Sequence, residues 1–137
     1  MAKTLGSFKC AVAGLAVTDC KHQLTTPAGD TFYSETGVDF WKAVFGKKDL
    51  DSQFIRNISP VSSAAKIKGA VFLYAGEDDI RVPMDQVTRM DNALKAAGNP
   101  AKAFIVKAKE GHGFGKLENN IDLYMQIFKF LDEQIGK

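Results

Sequence analysis

Two polar residues, Asp79 and His112, each follow a short apolar run, and together they have the composition of an acid–base pair. Asp79 lies in GEDDIRVP (76–83), and His112 lies in KEGHGF (109–114). If both runs are parallel strands, both side chains lie beyond the carboxyl ends of the sheet, where ligand sites form. A carboxylate there fixes the tautomer of an imidazole, which then acts as general base and acid. The alternative interpretation is a surface acid and an unrelated loop histidine.

The elements that must position this pair are three apolar runs alternating with helical patterns. The runs FKCAVAGLAV (8–17), GAVFLYAG (69–76) and KAFIVKA (102–108) are apolar on both faces for most of their length, which is typical of buried parallel strands. The stretch 83–98 has apolar residues at helical spacing, with a proline at its start and a glycine at its end. This alternation predicts an α/β fold with a short parallel three-stranded sheet flanked by helices.

Two further stretches have helical patterns. The C-terminal pattern forms one apolar stripe, made by Leu117, Ile121, Tyr124, Phe128, Leu131 and Ile135. The patterns at 38–46 and 50–58 predict a helical excursion packed against the sheet through Trp41, Val44, Phe45, Phe54 and Ile58. The turn-rich loop 25–37 is interpreted as a connection rather than as part of a binding site.

Composition narrows the classes of function. The 137 residues, 45% hydrophobic and 25% charged, predict a single globular domain, 1–137. A net charge of +2 with dispersed basic residues argues against nucleic acid and anionic membranes as partners, and no apolar run is long enough to span a bilayer. The sequence has two cysteines and no recognisable signal peptide, so a reduced, cytoplasmic protein is expected. No cofactor and no metal are predicted.

Four segments, FKCAVAGLAVTD, SPVSSAAKIKGAVFLYAGEDDIRVP, ALKAAG and KEGHGF, resemble in this order the C-terminal half of the α/β-hydrolase domain of the prolyl oligopeptidase family. The acylaminoacyl-peptidase and dipeptidyl-peptidase branches are the most similar. The resemblance implies serine-type peptidase or esterase chemistry, with a peptide or small ester as substrate, Asp79 as triad acid and His112 as triad base. Asp78 is a less favoured acid, because the family pattern places the acid three residues after the glycine.

The chain departs from the family pattern at the nucleophile, because the sequence contains no GxSxG elbow. Ser7 precedes the strand 8–17, which spans about 30 Å, and so is expected at the wrong end of the sheet. Cys20 follows the same strand beside Asp19 and His22, and a cysteine near a histidine can act as a nucleophile. Alternatively, these three residues and His112 form a metal site. A loop thiol without a role is the default interpretation of Cys20.

Three interpretations therefore remain open. The chain is the C-terminal portion of a serine hydrolase, inactive or weakly active alone. It is a minimal hydrolase with a non-standard nucleophile, such as Cys20, or with one supplied by another chain. Or it is a non-catalytic assembly or binding module. The resemblance also implies a missing neighbour for the strand 8–17, so we expect a homodimer through that apolar edge.

Overall fold

The computed structural model describes residues 8–46 and 49–136. Its strands are β1 (Cys10–Gly14), β2 (Ala70–Gly76) and β3 (Ala103–Lys107). Its α-helices are α1 (Cys20–Thr25), α2 (Glu35–Val44), α3 (Gln53–Ile58), α4 (Met84–Ala96) and α5 (Leu117–Ile135), and short 3-10 turns lie at Asp30–Tyr33 and Pro60–Lys66. The α/β fold expected from the sequence is confirmed.

The strands form one parallel sheet in the order β1-β2-β3, with Val12 opposite Phe72 and Leu73 opposite Phe104. Because side chains alternate along a strand, β2 has two buried faces. One face packs on α4, and the cluster there includes Val71, Leu73, Ala75, Val87, Met90 and Leu94. The other face packs on α5, and that cluster includes Ala70, Phe72, Leu123 and Phe130. The C-terminal end of β2, where the acid turn begins, is therefore held by core on both sides.

The prediction of three strands buried on both faces is correct only for β2. In β3, Phe104 and Val106 are 36% and 38% exposed, because β3 is an edge strand and its α4-side face is not covered. In β1, which is the other edge strand, Val12 lies opposite Phe72 on the α5 side of the sheet and is 36% exposed. Apolarity alone does not distinguish a central strand from an edge strand.

The predicted C-terminal helix is present, but most of its predicted stripe faces outward. The residues of α5 that reach the sheet are Leu123 and Phe130, with Ile127 and Leu131 partly buried. The exposed apolar face of α5 consists of Leu117, Ile121, Tyr124, Met125, Phe128 and Ile135. Apolar residues lie on more than one face of this helix. The periodicity of the sequence therefore did not identify the face in contact with the sheet.

The segment between β1 and β2 also differs from expectation. Trp41, Val44 and Phe54 do not pack into the core but are exposed. The buried anchor of this region is Ile55, which is 0% exposed. Across the described residues, no helix combines the length and apolarity needed to cross a membrane.

Candidate active site

The acid turn directly follows β2 and is built around Asp79. The Asp79 side chain is fully buried, and its Oδ1 accepts hydrogen bonds from the main-chain N–H groups of Arg81 and Val82, each at 2.9 Å. A buried carboxylate requires such donors, because it has lost its water. These two bonds occupy one oxygen and leave Oδ2 to face the neighbouring loop.

His112 lies on that neighbouring loop, after β3. Its Nδ1 is 2.9 Å from Asp79 Oδ2. An ionised carboxylate only accepts hydrogen bonds, so Nδ1 is the donor to it, and in a neutral ring Nε2 then carries the free lone pair. The His112 side chain is 38% exposed, whereas its partner is inaccessible. The two side chains thus lie within hydrogen-bonding distance, with the acid buried and the histidine side chain partly exposed.

The two loops approach each other through their main chains. The Asp78 N–H donates to the Glu110 carbonyl at 2.9 Å, and the Glu77 N–H donates to the Lys107 carbonyl at 3.0 Å. A Cβ atom at Gly76 would overlap the carbonyl oxygens of the facing loop, so this contact requires glycine. Asp78 is exposed and contacts the loop through its main chain, so Asp79 rather than Asp78 faces the imidazole.

Sequence reasoning missed Glu110, a buried carboxylate at the start of residues 110–116, which form the histidine loop. It accepts hydrogen bonds from Asn119 Nδ2 at 2.6 Å, Gly115 N at 2.6 Å and Lys116 N at 3.2 Å. The Asn119 amide, followed by these two N–H groups, holds the pKa of Glu110 below its ordinary value, against the effect of burial. Its partners follow His112 in the chain, in the remainder of the loop and in the first turn of α5.

A second missed residue is Gln86 on α4, which is 0% exposed. Its Oε1 accepts from the main-chain N–H groups of Thr18 and Asp19 at 3.0 and 2.8 Å, and its Nε2 donates to the Asp19 carbonyl and to Gln23 Oε1. Gln23 Nε2 in turn donates to the Arg81 carbonyl at 2.7 Å. This polar network connects the end of β1, α1 and α4 to the acid turn.

The other residues considered from sequence do not join the pair. Cys20 is buried in the first turn of α1, 8% exposed, and its N–H donates to Ser59 Oγ. His22 Nε2 lies 2.5 Å from Asp85 Oδ2, so this histidine has a separate acidic partner. In the described residues, no group of three His, Cys, Asp or Glu side chains is arranged to hold a metal ion. Ser7 lies outside the described residues.

The fold and the acid–histidine arrangement define an α/β-hydrolase portion, and comparison with known proteins identifies its family. The sequence profile of the prolyl oligopeptidase family matches residues 1–137. The chain belongs to the prolyl oligopeptidase family. The acylamino-acid-releasing enzyme of Rattus norvegicus is 30% identical over 78 residues, which cover 57% of this chain and 10% of that enzyme.

Solved structures share the fold at lower identity. The acylaminoacyl peptidase of Pyrococcus horikoshii is 22% identical with a TM-score of 0.83, and the match covers 100% of this chain and 22% of that one. A puromycin-hydrolysing peptidase of Mycobacterium tuberculosis is 22% identical with a TM-score of 0.85, covering 98% of this chain and 20% of that one. The dipeptidyl peptidase 4 of Porphyromonas gingivalis has a TM-score of 0.68. This chain thus spans between a tenth and about a fifth of these relatives' lengths.

Proposed function

We propose that this chain is the acid–base portion of a serine-type peptidase, with His112 as the general base and acid and Asp79 as the residue that orients it. The observation that supports this role is the contact between Asp79 Oδ2 and His112 Nδ1 in a member of this family. In the reaction, Nε2 would take the proton of a serine hydroxyl as it attacks a peptide or ester carbonyl. The protonated ring would then donate that proton to the leaving group.

The chain contains no GxSxG elbow, so it supplies no recognisable serine for this reaction. Cys20 is a less favoured candidate for the nucleophile, because reactive cysteines are at least partly exposed and Cys20 is buried. The alternatives to test are a nucleophile supplied by another chain and a role as a non-catalytic assembly or binding module.

Hydrolysis of p-nitrophenyl esters and aminoacyl-nitroanilides by the purified chain separates these possibilities. We expect turnover close to that of the His112→Ala variant, because a base without a positioned nucleophile gives little catalysis. Turnover typical of esterases that His112→Ala abolishes would contradict the proposal and favour a complete minimal hydrolase. A fluorophosphonate probe followed by peptide mapping would then locate a serine nucleophile, and a Cys20→Ser variant would test the thiol.

A further inference from the structure

Glu110 is the most buried residue of the loop that presents His112. It is 3% exposed, whereas His112, Gly113, Gly115 and Lys116 are exposed. Burying a carboxylate is unfavourable unless polar groups replace its water. A buried acid in an otherwise exposed loop therefore indicates a specific set of contacts.

Those contacts close the loop. Oε2 accepts from Gly115 N at 2.6 Å, and Oε1 accepts from Lys116 N at 3.2 Å and from Asn119 Nδ2 at 2.6 Å. The first residue of the loop is thereby bound to its last residues, with His112 between them. Closing the loop reduces the number of backbone conformations from which the imidazole can be presented.

The same contacts attach the loop to a rigid element. Lys116 is the N-cap of α5 but makes no side-chain capping bond, and Asn119 lies in the first turn of that helix. From outside the helix, the Glu110 carboxylate accepts the N–H of this N-cap residue, at the end of the helix where a negative charge is favourable. The position of the loop is therefore fixed relative to the 19-residue helix α5.

Glu110 also contacts the acid turn through its main chain. Its carbonyl accepts from Asp78 N at 2.9 Å, one residue before Asp79. A single residue therefore binds the histidine loop with its side chain and the acid turn with its backbone.

We propose that Glu110 is a positioning residue that holds His112 against Asp79 by closing the histidine loop onto α5. The inference rests on the proposed function, in which the Asp79–His112 contact is the acid–base pair. It assigns Glu110 no contact with substrate.

Histidine tautomers measured by ¹⁵N NMR test the inference without requiring a nucleophile. The chain has two histidines, so a His22→Gln variant assigns both imidazoles. In the unmodified chain at neutral pH we expect His112 in the Nδ1-protonated tautomer. In Glu110→Ala we expect the ratio of Nδ1-protonated to Nε2-protonated His112 to fall by about fivefold or more, the effect of losing a hydrogen bond worth about 1 kcal/mol. His22, which pairs with Asp85, is the internal control and should keep its tautomer.

Two matched variants sharpen the result. Glu118→Ala removes an exposed acid from the first turn of α5 and should leave His112 unchanged. Asn119→Ala removes one donor to Glu110 at a helical position that tolerates alanine, and should shift His112 in the same direction by a smaller amount. Asn119→Ala also serves as the deciding variant if Glu110→Ala does not fold.

The possible outcomes separate the two proposals. Absence of the Nδ1-protonated tautomer in the unmodified chain would overturn the proposed acid–base pair itself. Its presence there, with an unchanged His112 ratio in folded Glu110→Ala, or in Asn119→Ala when the former does not fold, would overturn the positioning role and leave the pair intact. A shift of His112 equal to that in Glu118→Ala would likewise overturn it.

Discussion

At the scale of single residues, the site depends on how differently two polar side chains are exposed. Asp79 has no accessible side-chain surface, while His112 has 38% of its side chain exposed. The buried carboxylate makes three hydrogen-bonding contacts inside the protein, two to its own turn and one to the imidazole. Such an acid orients a ring, and the exposed ring is the group that can exchange protons with a substrate.

Replacing the acid tests this division of roles. Asp79→Asn replaces the carboxylate, whose Oδ1 accepts two main-chain N–H groups, with a neutral amide that accepts weaker hydrogen bonds, so we expect a loss of about 2 kcal/mol in the free energy of unfolding. We also expect a fall in the fraction of Nδ1-protonated His112, because an amide does not select that tautomer. Urea unfolding and ¹⁵N NMR measure the two effects. Asp78→Asn, at the exposed neighbouring position, is the control and should change neither.

Acidification tests the other buried acid. Because hydrogen bonds in the folded state lower the pKa of Glu110, its contribution to loop stability is fully present above the ordinary glutamate pKa and is lost as pH falls through the lowered folded value. We therefore expect the Gly115 and Lys116 amides to lose protection from exchange only at a pH below about 4.3. Lys116 is the charged neighbour that contributes to the lowered pKa. Glu110→Gln should remove this pH dependence, and an unchanged acid transition in that variant would show that another group is responsible.

At the scale of secondary-structure elements, the site is a junction of loops that the helices support from two sides. α5 holds the histidine loop through Glu110, and Lys107 at the end of β3 also pairs with Asp122 of that helix, at 2.5 Å. α4 holds the acid turn indirectly, through Gln86 and Gln23. Each of the two loops is therefore anchored to the helix that follows it in sequence.

The α4 junction has a measurable energetic consequence. Gln86→Leu keeps the approximate size of the side chain but leaves the buried N–H groups of Thr18 and Asp19 without their acceptor. We expect a loss of about 3 kcal/mol in the free energy of unfolding, since unsatisfied buried polar groups cost about 1–3 kcal/mol each. Chemical denaturation provides the measurement. Asn92→Leu, at an exposed position of the same helix, should change stability by less than about 0.5 kcal/mol.

At the scale of the whole molecule, two of the places where apolar surface is left uncovered bear on association of the chain. β1 is an edge of the described sheet, and an apolar cavity of about 250 Å³ lies beside it, lined by residues that include Ala11, Ala13, Val17, Ile58 and Met90. The second place is the exposed apolar face of α5. Unpaired strand edges and large apolar patches favour association.

We propose that the chain forms a homodimer by antiparallel pairing of two β1 edges, which would give one six-stranded sheet. Light scattering after size exclusion should then give twice the chain mass of 14.9 kDa at tens of micromolar. Val12→Lys should return the mass to that of a monomer, whereas Phe104→Lys on the opposite edge should not. A monomeric unmodified chain would contradict the proposal. So would a dimer that survives Val12→Lys but is lost in Phe128→Lys, which would place the interface on α5.

The sequence by itself determined the order of strands and helices, the fold class and the two residues that meet at the site. These features depend on local information, namely apolar periodicity within an element and short motifs at the ends of strands. Asp79 and His112 were identifiable because parallel strands bring their C-terminal loops to one edge of the sheet and because the motifs around both residues resemble those of a known family.

Only the tertiary structure decided which apolar faces are covered and which polar residues support the pair. Leu123 and Phe130, rather than the predicted stripe, contact the sheet, because α5 is apolar on adjacent faces and docking selects one of them. Gln86 likewise has partners 63 to 68 residues away in the chain, and the Glu110 main chain bonds to Asp78 in the acid turn. A hydrogen bond between distant segments leaves no periodicity in either one, so the residues that hold the acid and the histidine in place are visible only once the chain has folded.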